Sequence, residues 1–81
     1  MNKKNILVIG AGGVGSAYIR KAMQYPDSFN ELHLASRTLA KCEILKKEFP
    51  QISIHQVDAD DSSQVRDLIE KVKADILVNL A

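Results

Sequence analysis

Cysteine is nearly absent from this chain, proline and glycine are scarce, and neither sign of charge prevails. The single cysteine, Cys42, excludes an internal disulfide, cannot build a zinc site alone, and fits a reducing compartment. Lys and Arg number 11 against 10 Asp and Glu, a net charge of +1. That balance offers no electrostatic reason to expect nucleic acid or an anionic membrane as partner. The longest apolar run, Ile6 to Ile9, is far too short to span a bilayer. The basic N-terminal stretch Met1 to Asn5 leads through that run straight into glycine, so no signal peptide is read and a cytoplasmic protein is expected. There is no linker, repeat or low-complexity tract. With 81 residues, 46% of them apolar and 26% charged, the composition is that of one small soluble domain.

All four glycines fall between Gly10 and Gly15, so they serve one local purpose. Around them, apolar runs alternate with helix-like segments. Ile6 to Ile9, Leu32 to Ala35, the Ile52/Ile54/Val57 set and Ile76 to Val78 read as four strands. Val14, Ala17, Tyr18 and Ala22 recur at helical spacing until Pro26 and Asp27. Leu39, Cys42, Leu45 and Phe49 mark a second helix closed by Pro50, and Val65, Leu68, Ile69 and Val72 a third. Asp61 with Gln64 resembles a capping box opening that third helix. The alternation implies an α/β, Rossmann-type parallel sheet, and right-handed crossovers give strand order 3-2-1-4 with flanking helices. Ala81 follows a strand that ought to be central, so a domain of residues 1–81 is expected to be incomplete at its C-terminus. Either a missing part of the chain or a partner, a homo-oligomer included, would then cover the open sheet.

Gly10-Ala11-Gly12-Gly13-Val14-Gly15 fits G-x-G-x-x-G and stands where that pattern must stand, after a strand and opening a helix. Gly10 permits the turn, Gly12 lets backbone approach a pyrophosphate, and Gly15 allows close helix packing. Free N–H groups and the helix dipole then favour the anion. The bland reading is a glycine-rich turn joining strand to helix. No Gly-Lys-Ser/Thr follows, which excludes a Walker loop, and the spacing is tighter than in short-chain dehydrogenases.

An acidic residue roughly 20 residues past the glycines would chelate the ribose of NAD. Here the second strand ends in Ala35-Ser36-Arg37-Thr38, with no carboxylate at its tip. Arg37 offers a planar cationic fork to a 2′-phosphate, Ser36 and Thr38 offer hydroxyls, and Lys41 adds positive potential. NADP(H) is therefore expected over NAD(H). Alternatively Arg37 is solvated and Ser36 or Thr38 merely caps the helix.

After the third strand, Asp58 or Asp60 can accept from the adenine amino group, although Asp60 reads better as a solvated residue. Asn79 suits a contact near the nicotinamide ribose, and a backbone contact from Leu80 or Ala81 suits it equally. His33 and His55 lack a second ligand at metal spacing and read as structural or exposed, and Cys42 as a core thiol. The cofactor-binding set thus runs through Gly10, Ala11, Gly12, Gly13, Val14, Gly15, Ser36, Arg37, Thr38, Asp58, Ala59, Asn79 and Leu80. No catalytic residue and no metal ligand is assigned.

The stretches Ile9 to Gly15 and Leu34-Ala35-Ser36-Arg37-Thr38-Leu39-Ala40-Lys41-Cys42 resemble the start of the saccharopine dehydrogenase family, most nearly its carboxynorspermidine synthase branch. The resemblance covers essentially the whole chain, but only the cofactor half of such proteins. It implies an NADP-dependent oxidoreductase acting on CH–NH bonds, reducing an imine formed between an amine and a carbonyl substrate in polyamine biosynthesis. It places Gly10, Gly12, Gly13, Val14 and Gly15 at the pyrophosphate, Ser36 and Arg37 at the 2′-phosphate, and Asp58 with Ala59 at the adenine. The substrates would be held by a domain outside these residues. A dinucleotide-sensing module without catalysis and a degenerate interaction domain are the alternatives.

Overall fold

A computed structural model describes residues 3–81; Met1 and Asn2, the start of the basic N-terminal stretch, lie outside them. The chain alternates strand and helix throughout: β1 (Asn5–Ile9), α1 (Gly13–Ala22), β2 (Glu31–Ser36), α2 (Leu39–Glu48), β3 (Ser53–Gln56), α3 (Ser62–Val72) and β4 (Ile76–Asn79). A short 3-10 turn, Pro26–Ser28, separates α1 from β2. All strand pairs are parallel and the order is β3-β2-β1-β4, as the right-handed crossover rule requires. Ile9 is paired with both Ala35 and Asn79, so the carboxyl ends of β1, β2 and β4 finish level.

Side chains along each strand alternate between two layers. Val8, Leu32 and Leu34 pack with Ile19 of α1 and with Cys42 and Leu45 of α2. Leu7, Ile9 and Ala35 pack on the other face with Leu68 and Val72 of α3. Six large side chains, Leu7, Ile9, Ile19, Leu34, Leu45 and Ile52, are fully buried, each stabilising the fold by about 1.5–3 kcal/mol relative to exposure. The continuous apolar strands are therefore explained by cover on both sides.

Helix α1 packs only the later part of its apolar stripe, Tyr18 and Ala22, against the core. Val14 is 67% exposed and Ala17 is also exposed, while Gly15 and Ile19 carry the buried face of α1. Val14 lies in the first turn, where the helix is still rising from the glycine loop, so the packed stripe begins one residue later. The Asp61–Gln64 cap is also half of what its sequence implies. Asp61 Oδ1 accepts from the N–H groups of Ser63 and Gln64. Asp61's own N–H already donates to the Asp58 carbonyl at 3.0 Å. The Gln64 side chain turns instead to accept from the Asp58 N–H at 3.0 Å.

The two histidines meet each other between β2 and β3. His33 is buried, and its Nδ1 lies 2.9 Å from His55 Nε2 and its Nε2 2.9 Å from Glu31 Oε1. Cys42 is a free, buried thiol whose pKa is pushed up by burial and by the Glu43 charge, as befits a core residue. On β4, Ile76 and Leu77 remain 42% and 44% exposed at the sheet edge. Among the described residues no helix is long and apolar enough to cross a membrane.

Candidate functional site

At the carboxyl ends of the strands the ladders run on into the loops. The Gly10 N–H donates to the Ala35 carbonyl at 2.8 Å, Val57 N–H to Ser36 O at 3.0 Å, and Leu80 N–H to Ile9 O at 2.7 Å. Together these bonds frame a cleft of about 300 Å³ lined by Ile9, Gly10, Ser36, Arg37, Val57, Ala59, Asp60 and Ala81. Its floor is apolar, from Ile9 and Val57, and its rim is polar. In an open α/β sheet this is where ligands bind, because the crossovers from β1 and from β3 leave on opposite faces and part the loops.

The glycines divide into two pairs. Gly10 holds φ +113°, and a Cβ there would sit 2.8 Å from the Leu80 carbonyl carbon. A Cβ on Gly15 would lie 1.7 Å from the Gly10 carbonyl oxygen, so the first turn of α1 rests directly on the loop. At Gly12 and Gly13 an added Cβ would meet nothing within 4 Å. That open cradle fits a pyrophosphate, which needs backbone N–H groups in reach and no side chains in the way. Ala11 is buried in the core, so it can offer the loop's ligand only backbone; its carbonyl accepts from Ser16 Oγ. Val14 projects outward beside the cradle.

Helix α1 and helix α2 both open without a side-chain cap, at Gly12 and Thr38, whereas α3 is capped by Asp61. The first N–H groups of the two uncapped helices stay available beside the cleft. Ser36 Oγ instead accepts from the Thr38 N–H at 3.3 Å, shaping the tip of β2. Gln56 Nε2 donates to the Arg37 carbonyl at 3.0 Å and fixes the backbone there. The Arg37 side chain is 70% exposed and reaches over the cleft, where its Nη2 donates to Asp58 Oδ1 at 3.2 Å and Asp60 Oδ2 at 3.1 Å.

Of the sequence-named residues, Gly10, Ser36, Arg37 and Ala59 line the cleft, Asp58 contacts Arg37, and Gly12, Gly13, Val14 and Thr38 stand exposed around it. Asn79 is turned back, its Oδ1 accepting from the Ala81 N–H at 3.2 Å, and Leu80 is half-buried beneath Gly10. Val57 and Asp60 also line the cleft, Asp60 being exposed, as its solvated reading has it, yet paired with Arg37. Asp60's pairing with Arg37 arises from the bend of the β3–α3 loop, which leaves no periodic trace.

A parallel sheet ordered 3-2-1-4, a ligand-sized cleft at its carboxyl ends and a bare glycine cradle between β1 and α1 define a dinucleotide-binding domain of the Rossmann class. The solved L-threonine dehydrogenase of Clostridium difficile has the same fold, with TM-score 0.71 over 100% of this chain and 24% of that one, at 21% identity. The chain belongs to the saccharopine dehydrogenase NADP-binding domain family, whose model matches residues 6–81. It is 39% identical over 85 residues to carboxynorspermidine synthase of Vibrio cholerae, covering 93% of this chain and 20% of that protein. It is 36% identical over 78 residues to carboxyaminopropylagmatine dehydrogenase of Synechocystis, covering 94% of this chain and 19% of that protein. The chain thus spans about a fifth of the length of the curated relatives it matches. Its cofactor is NADP(H), in keeping with an arginine rather than a carboxylate at the tip of β2.

Proposed function

We propose that this domain holds NADP(H) for an oxidoreductase that reduces an imine formed between an amine and a carbonyl compound, as in polyamine synthesis. In this reading the pyrophosphate lies on the N–H groups of Gly12, Gly13 and Val14, within the loop from Gly10 to Gly15. Ala11 contributes backbone alone. Arg37, with Ser36 and Thr38, receives the 2′-phosphate. Asp58 and Ala59 border the adenine, and Asn79 with Leu80 borders the path towards the nicotinamide. When bound, the nicotinamide would supply the hydride, and these residues would bind and orient the cofactor. The amine and carbonyl substrates are taken by a part of the protein outside residues 1–81. We place the enzyme in the cytoplasm, a reading supported by its lone unpaired thiol.

The observation that carries the proposal is Arg37: a guanidinium at the end of β2, where a carboxylate would select NAD, extended over the cleft beside an open glycine cradle. Arg37→Ala is expected to weaken NADPH binding by about tenfold or more, the scale of a hydrogen bond to a charged group, and to leave NADH binding little changed. Calorimetric titration with both cofactors reads this directly. Equal losses for the two would contradict the 2′-phosphate role.

A further inference from the structure

We propose that Asp60 is a specificity-determining residue that occupies Arg37 in the free protein and so restrains affinity for NADPH relative to NADH. The inference rests on the reading of Arg37 as the 2′-phosphate receiver. Both carboxylates that meet Arg37 approach the same nitrogen, Nη2: Asp58 at 3.2 Å and Asp60 at 3.1 Å. They differ in how they are held. Asp58 Oδ1 also accepts from the Asp60 N–H at 3.0 Å, and the Asp58 N–H donates to Gln64 Oε1 at 3.0 Å, so Asp58 belongs to the loop that starts α3. The Asp60 side chain is 88% exposed, and its carboxylate meets only Arg37 among the described residues. Asp60 also lines the cleft itself.

A 2′-phosphate carries close to two negative charges and competes with the Asp60 carboxylate for the guanidinium, directly at Nη2 and, at Nη1 and Nε, which are free among the described residues, through the charge that Asp60 already neutralises. The ribose hydroxyl of NADH makes no such demand, and the Arg37–Asp60 pair stays intact when that cofactor binds. Asp60 therefore acts on one cofactor and not on the other. Because the pair is exposed, the effect is a modest one.

Asp60→Asn tests this, since it keeps the shape, removes the charge and lies far from the core. NADPH should bind about two- to fivefold tighter, the range of an exposed ion pair, with NADH unchanged, and the gain should shrink as salt is raised. The same change made in an Arg37→Ala background should alter neither affinity. NADPH affinity that is unchanged or reduced by Asp60→Asn overturns the inference, because Asp60 would then be idle or would aim Arg37 at the phosphate. A gain that persists without Arg37 also overturns it. Failure of Arg37→Ala to separate the cofactors would instead strike the 2′-phosphate reading itself, so the two failures are distinguishable.

Discussion

At the scale of single residues, the glycine loop separates what the fold needs from what a ligand needs. Gly15 has no room for a methyl group, with the Gly10 carbonyl oxygen 1.7 Å from where its Cβ would be. Gly15→Ala should therefore cost about 1–3 kcal/mol, the range for overpacking, read as a lowered melting midpoint. Gly12 is the opposite case, in extended backbone with nothing within 4 Å of an added Cβ. Gly12→Ala should leave stability within about 0.5 kcal/mol yet weaken NADPH binding, because the methyl group occupies the cradle. A melting curve and a titration on each variant check the contrast; matched losses of stability would refute it. The positions of these glycines are legible in the sequence because they fall in one motif between strand and helix, where Gly10 and Gly15 answer to the backbone and Gly12 and Gly13 leave room for a ligand. The partners of Arg37 were not, since an arginine's reach across a cleft depends on the path of a loop 21 and 23 residues away.

Among elements, how each helix begins matters most. Helix α3 is closed at its start by Asp61, whose carboxyl is held below its usual range by the Ser63 hydroxyl and the Gln64 N–H. A carboxyl with a depressed folded pKa contributes stability above its unfolded value, and that contribution is lost as pH falls through the folded value. Asp61→Ala should lower the melting midpoint at neutral pH and flatten its decline in acid. Burial, then the charges of His33 and Lys71, lower the His55 pKa from its ordinary 6.5. The unfolded chain thus takes up a proton near pH 6.5 that the folded state resists, so stability is full above that pH and declines below it. His55→Gln should remove this part of the slope in a series of melts from about pH 7.5 to about pH 5, either side of the ordinary histidine pKa; an unaltered slope would show that His55 does not contribute. In α1, Tyr18 and Ala22 of the apolar stripe pack on the core while Val14 stays exposed. Apolar spacing marks a helix well but cannot show that its first turn is lifted off the sheet by a glycine loop.

For the whole molecule, the direction of the sheet decides which end is used. The order β3-β2-β1-β4 follows from the alternation of elements and the handedness of crossovers, and it sets the glycine loop and the tip of β2 together at the carboxyl end of the sheet. A larger cleft, about 460 Å³, opens at the opposite end among Phe29, Asn30, Leu32, Gln51 and Ser53. It had no signature in the sequence, because it is assembled from the 3-10 turn and the loop before β3 rather than from a motif. Size alone would favour it, while the open glycine cradle and the arginine favour the smaller one. The most direct test is an amide-resolved NMR titration of the protein with NADP⁺. The account predicts shifts concentrated at Gly12, Gly13 and Val14, at Ser36 to Thr38 and at Asp58 to Asp60, with Phe29, Leu32 and Gln51 unmoved. Shifts centred on those last three residues, or none in the glycine loop, would contradict it.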